Sequence, residues 1–265
     1  MKRFEFGKNW VAFSAGALSR ERVGLARKEF GELFEGIELK GKKFLDIGFG
    51  QGLSLLLASE AGAEVTGCDI DPRCGEALAR TTEFFDPRPA FRLVIGSILA
   101  AGTARELRSA GGGAFDIVHA WGVLHHTGDM SGALDAACGL TAEGGHLVVA
   151  VYNKHWSSPL WKAVKRLYCL SPSPARLLLV AAFCPIVFIA KFLATGKSPL
   201  RQQRGMAFYR NLVDWVGGYP YEYASVAEVR SAVERKGFTC VRVVPAQVPT
   251  GCNQFVFRKL SGEKG

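Results

Sequence analysis

The stretch Lys43-Phe44-Leu45-Asp46-Ile47-Gly48-Phe49-Gly50-Gln51-Gly52 constrains this chain more than any other. An apolar-leaning run reads as a short buried strand. A carboxylate stands near its end, glycines follow at every second position, and Leu53 to Ala58 supply the apolar side of a helix. Strand, glycine turn and helix make the first half of a βαβ unit of the nucleotide-binding type. Glycine lets the backbone turn sharply and lets a ligand lie against it. Taken alone, such a turn is as readily a plain tight turn, so any ligand must be argued from charge and spacing.

The dinucleotide fingerprint G-x-G-x-x-G begun at Gly48 requires a small residue at position 53, where Leu53 stands. Asp46 is also badly placed for a pyrophosphate, because like charges repel in a low-dielectric crevice. A ligand with an adenosine half, no phosphate and a cationic end suits that carboxylate, and S-adenosylmethionine (SAM) is such a molecule. On this reading Asp46 and the turn glycines Gly48, Gly50 and Gly52 place the methionine end. The second strand, Glu64 to Asp69, ends in an acid 21 residues beyond Gly48, a spacing that suits a carboxylate gripping the ribose hydroxyls. The run D-x-G-x-G-x-G from Asp46 to Gly52 resembles motif I of the class I SAM-dependent methyltransferases.

From 41 to 153 the pattern alternates strand and helix: strands over 43–47, 64–69, 91–95, 115–120 and 145–151, helices over 51–61, 72–80, 102–110 and 130–140. That alternation predicts an α/β fold, a Rossmann-like, mainly parallel sheet with helices on both faces. Residues 1–40 read as an N-terminal helical cover, with Phe6, Gly7 and Trp10 placed to close the site or merely to brace it. Residues 221–265 read as a helix opened by the capping box Ser225-Val226-Ala227-Glu228, then strands over 238–244 and 254–259. These complete a seven-stranded sheet whose last strand is antiparallel.

Residues 154–220 break the rhythm. A basic-aromatic helix around Trp161, Lys162 and Tyr168 is stopped by Ser171-Pro172-Ser173-Pro174. Then Leu177 to Ala190 runs without a charge, short for a membrane span and interrupted by Pro185. With Lys191, Lys197, Arg201 and Arg204 nearby, this insertion over 176–204 reads as an interfacial or re-entrant hairpin on an anionic membrane, or as a lid or oligomer contact.

Site candidates follow from the strand ends. By the resemblance, Ser97, after the third strand, stands where many methyltransferases of this class place an acidic residue beside the adenine, and its hydroxyl could hydrogen-bond the base instead. The fourth strand runs into Trp121-Gly122-Val123-Leu124-His125-His126, a loop facing the transferred methyl, with Trp121 beside the cofactor. His125 or His126 could take a hydroxyl proton, or could pack as a neutral residue and line the pocket. Trp10, Tyr152, Asn153, Tyr219 and Asn253 are candidates to touch the acceptor. His119 reads as structural. No carboxylate pattern supports a metal site, and none is expected.

The formal charge of +9 calls for an anionic neighbour, nucleic acid or membrane. Seven cysteines without a C-x-x-C pair fit a reducing cytoplasm. The start Met1 to Lys8 lacks an apolar leader core, so export is not expected and a cytoplasmic place, peripheral on the inner membrane face, is.

The segments Phe4 to Trp10, Trp121 to Asp129, Asp214 to Pro220 and Gly251 to Phe257 extend the resemblance to small bacterial class I methyltransferases, and more broadly to quinone-pathway and small-metabolite O-methyltransferases. The resemblance spans nearly all of the chain outside about 155–205. It implies the fold, SAM and transfer of a methyl group, preferably to oxygen of a small or lipid-like acceptor, without naming that acceptor. The rivals are an RNA methyltransferase and a non-catalytic SAM-binding partner protein. Ala120-Trp121-Gly122-Val123 stands where base amino-methylation uses N/D-P-P-Y/F, so nucleic acid is disfavoured.

Overall fold

The computed structural model describes residues 4–196 and 208–262. Seven strands form one sheet: β1 (Lys43–Ile47), β2 (Glu64–Asp69), β3 (Arg92–Ile95), β4 (Phe115–Trp121), β5 (Thr141–Tyr152), β6 (Phe238–Val244) and β7 (Cys252–Lys259). Their order is β3-β2-β1-β4-β5-β7-β6, and only β7 runs against its neighbours. The expected sheet is therefore present, with the antiparallel strand inserted between β5 and β6. The order reverses between β1 and β4, which places a crevice at their carboxyl ends.

Alternating residues of each strand feed two cores. Leu45, Val118, Val149 and Phe257 face one, while Phe44, Ile117, Val148 and Val256 face the other. A fully buried side chain of this size contributes roughly 1.5–3 kcal/mol through removal from water. The first core is covered by helices α5 (Ala101–Ala110), α6 (Met130–Leu140) and α10 (Val226–Glu234), the second by α2 (Arg20–Leu33), α3 (Leu53–Glu60) and α4 (Arg73–Thr82). The capping box at Ser225 and Glu228 is formed as the sequence predicts.

At the N-terminus α1 (Phe6–Gly16) packs on α4. Its first turn has no capping side chain of its own, and Asp71 supplies the acceptor by taking the Gly7 N–H. Arg73 clasps the same Asp71 at 2.7 Å and reaches Glu5 at 3.1 Å.

The insertion holds α7 (Ser158–Leu170), α8 (Ser173–Thr195) and α9 (Phe208–Gly217). Pro185 does not interrupt the apolar run. One 23-residue helix passes through it, opened by Pro174 in its first turn and ended by Gly196 at φ 64. The apolar run is thus part of a helix about 34 Å long at 1.5 Å per residue, longer than the run itself suggested. Lys197, Arg201 and Arg204, and the side chain of Lys191, lie outside the described residues.

Candidate active site

A cavity of about 530 Å³ opens at the carboxyl ends of β1 to β5. Asp46, Gly48, Asp69, Ser97, Trp121, His126 and Tyr152 line it, and Phe4, Phe6 and Trp10 cover it. The sheet explains how the strand-end residues gather, because parallel neighbours end together where their helices begin.

The three turn glycines have separate duties. All have positive φ: 71 at Gly48, 55 at Gly50 and 77 at Gly52. Gly48 borders the cavity, and a Cβ there would lie 2.3 Å from Val123 Cγ2. At Gly50 it would lie 2.8 Å from Trp10 Nε1, so this glycine lets the N-terminal cover close. At Gly52 it would strike Leu78 Cδ1 at 2.1 Å, so this glycine serves the packing of α3 against α4. Neither Gly50 nor Gly52 is in the cavity wall.

Asp69 is fixed by its own backbone surroundings. Gly50 N–H donates to Oδ2 at 3.0 Å and Asp71 N–H to Oδ1 at 3.0 Å. Burial raises its pKa above the ordinary value, and those two N–H groups oppose the rise. The Cys74 thiol donates to the same carboxylate, and the acceptor capacity that remains is open to a ligand hydroxyl. Ser97 Oγ accepts from Leu99 N–H at 3.3 Å, which leaves its own O–H to donate into the cavity it lines.

Asp46 is buried and already engaged. His119 Nδ1–H donates to its Oδ1 at 2.7 Å, and the imidazole lies parallel to Trp121 at 5.7 Å and near Phe44 at 5.8 Å. His119, read as structural, is thus the residue that orients the motif carboxylate, while also bordering the cavity.

The two loop histidines part company. His125 is 1% exposed and stays outside the cavity. Its Nδ1 accepts Tyr152 N–H at 3.3 Å, and the ring also bonds the Ala150 backbone, so it ties the loop to β5. Burial holds its pKa well below the ordinary histidine value. His126 lines the cavity, with Nδ1–H donating to Pro220 O at 2.6 Å. Its pKa is pushed down to about 3, first by burial, then by Lys165 against the bond to Pro220. The ring is neutral with its lone pair on Nε2, packed 4.8 Å from Phe6.

Three acceptor candidates fall elsewhere. Asn253 Nδ2 donates to Asn153 Oδ1 at 3.0 Å, Asn253 Oδ1 takes Ala246 N–H at 3.0 Å, and Asn153 Nδ2 donates to Pro249 O at 3.0 Å. The pair stitches β5 to the β6–β7 loop. Tyr219 is buried between α7 and α9, and its carbonyl accepts Phe4 N–H at 3.0 Å. Trp10 and Tyr152 do border the cavity. Glu29, Gln51, Trp215 and Cys252 border it without having been singled out. Gln51 sits inside the glycine motif, and nothing in the local pattern sets it apart. Trp215 arrives from the insertion, which local patterning cannot place. Among the described residues, no group of three or more His, Cys, Asp or Glu is arranged to hold a metal.

The chain matches a family model described as a methyltransferase domain over residues 19–194, which runs through α7 and nearly all of α8. The ubiquinone biosynthesis O-methyltransferase of Alkalilimnicola ehrlichii is 28% identical over 136 residues, covering 51% of this chain and 52% of that protein. Its counterpart in Psychrobacter arcticus is 30% identical over 132 residues, 50% of this chain and 49% of that protein. The chain spans about half the length of the curated relatives it matches. Among solved structures, an O-methyltransferase family protein from Burkholderia thailandensis superposes with a TM-score of 0.55 at 16% identity, over 95% of this chain and 60% of that one. Magnesium protoporphyrin IX methyltransferase from Synechocystis with bound SAH gives 0.55 at 16% identity, over 89% and 82%. Those two share the fold.

Proposed function

This chain belongs to the methyltransferase-domain family, and from that premise we propose that it moves the methyl group of SAM onto a hydroxyl oxygen of a small, apolar acceptor. The observation carrying the reading is Asp69, held by Gly50 and Asp71 with acceptor capacity left facing the cavity. The rest of the wall agrees. Asp46 and Asp71 are carboxylates, and the buried Gln51 Oε1 has no hydrogen-bond partner among the described residues. Acceptors of this kind suit a ligand rich in donors, with ribose hydroxyls and an ammonium, and repel a phosphate.

SAM, when bound, supplies an electrophilic methyl on a cationic sulfur. Asp69 would hold the ribose, Ser97 would donate to the base, and Asp46, oriented by His119, would face the cationic end. Phe6, His126, Tyr152 and Trp215 form an aromatic chamber for the acceptor and keep water out. Rate enhancement then rests mainly on alignment and desolvation. His126 Nε2 would accept the hydrogen bond of the acceptor hydroxyl and aim its oxygen. A base this weak takes little from a resting alcohol. It suffices once the oxygen has begun to gain a methyl, because the hydroxyl proton is then strongly acidic.

Seven cysteines without a C-x-x-C pair fit a reducing compartment, and a cytoplasmic location is part of the proposal. The test incubates the protein with methyl-labelled SAM, a panel of phenols and a fractionated extract, then separates lipid, small-molecule and RNA pools. Label in an alkali-stable aryl or alkyl ether is the expected result. Label confined to RNA, or calorimetric binding of NADH but not of S-adenosylhomocysteine, would overturn it.

A further inference from the structure

Helix α8 is docked along one stripe only. Val180 and Val187 are buried, with Phe183 and Cys184 partly so, against Leu212 and Val216 of α9 and Tyr168 of α7. This is the i, i+3, i+4, i+7 spacing of a single helical face. Among the described residues the remaining surface is exposed and greasy: Leu178 is 72% exposed and Leu193 76%, with Leu177, Ile186 and Ile189 exposed beside them. Within Ser173–Ala190 the mean hydropathy is 2.0, and only 11% of that window is buried. Neighbouring α7 exposes Leu160, Leu167 and Leu170, and Trp156 is exposed just before it. Apolar surface of this extent marks a docking face.

Charge selects the occupant. From Lys154 to Val213 the chain carries lysines and arginines and no Asp or Glu. Lys162 and Arg166 are exposed on α7, between its bare leucines. Two copies of such a face would repel each other, whereas an anionic bilayer answers both the charge and the leucines. Because α8 keeps one side on the folded domain, it would lie in the headgroup plane.

We propose that α7 and α8 seat this protein on anionic lipid and that its acceptor is drawn from that bilayer. The second half rests on the methyl-transfer reading; the first does not. Phe4 and Trp215 connect them, since both border the cavity and both pack in the cluster that anchors α8. Cavity wall and lipid-facing helix thus share side chains.

The test floats the full chain with phosphatidylcholine vesicles, with and without phosphatidylglycerol, beside the double variant Leu178→Glu and Leu193→Glu. Anionic vesicles should bind the parent at least about tenfold more strongly than neutral ones. The variant should lose about tenfold or more of that binding, with S-adenosylhomocysteine affinity unchanged. Equal flotation of parent and variant, no flotation of either, or a lipid-free dimer that the variant dissolves would each overturn the docking. Flotation without S-adenosylhomocysteine binding would support the docking and overturn only the methyl-transfer reading and the acceptor's bilayer source.

Discussion

His126 donates from Nδ1 to the carbonyl oxygen of Pro220 at 2.6 Å, across 94 residues of sequence, and this bond leaves Nε2 as the nitrogen that can serve the cavity. With the ring held near a pKa of about 3, it is neutral throughout the working range. Turnover should therefore show no loss from histidine protonation between about pH 8 and pH 5. His126→Ala should lower kcat by about 100-fold, within the usual span for a positioned proton acceptor. A stopped assay over that pH range checks both.

Stability should respond to pH where catalysis does not. Both buried histidines are neutral when folded and protonate near 6.5 when unfolded, so their contribution is complete above that value and is lost as pH falls below it, for His126 down to about 3. For His126 the loss at pH 5 amounts to about 2 kcal/mol. Urea melts at pH 7.5 and pH 5 would show a lower midpoint in acid, and His125→Gln should shrink the difference.

Gly50→Ala combines a left-handed backbone with a clash against Trp10 Nε1 at 2.8 Å. It should weaken S-adenosylhomocysteine binding by about tenfold or more, as left-handed strain costs of order 1–3 kcal/mol. Calorimetry of this variant beside the double variant Gly50→Ala/Trp10→Ala, with Trp10→Ala as the reference for the latter, separates the two causes, because removing the indole relieves the clash and leaves the strained φ.

Asp69→Ala removes the acceptor of two backbone N–H groups together with the proposed ribose contact. Hydrogen bonds to a charged group are worth about 1.5–3 kcal/mol, so affinity for S-adenosylhomocysteine should fall about 10- to 100-fold. Unchanged affinity would remove this residue from the cofactor site.

Asn253 should behave in the opposite way. It is 1% exposed with both ends of its amide bonded, so Asn253→Ala should cost about 1–3 kcal/mol of stability. KM for the acceptor should stay as it was, which denaturant melts and steady-state rates would show together.

What could be read from the chain was what depends on near neighbours. The strand ends at Ile47 and Asp69, the turn at Gly48 to Gly52 and the capping box at Ser225 follow from local pattern and backbone sterics, and they stand where they were expected. The continuous helix through Pro185 was not legible. One proline weakens a helix locally, and packing of Val180 and Val187 on α9 offsets that loss. His125 and His126 are adjacent and chemically identical, so no local rule could assign one to the scaffold and the other to the cavity.

The sequence by itself determined that a sheet of this kind would carry acids and glycines at one edge, because periodicity and backbone freedom are written residue by residue. Only the tertiary structure decided which of those groups meet: Asp46 with His119, Gly50 with Trp10, Asn153 with Asn253. Such pairings span long stretches of chain, and they are set by which faces of the sheet and helices bury together rather than by any neighbour along the backbone.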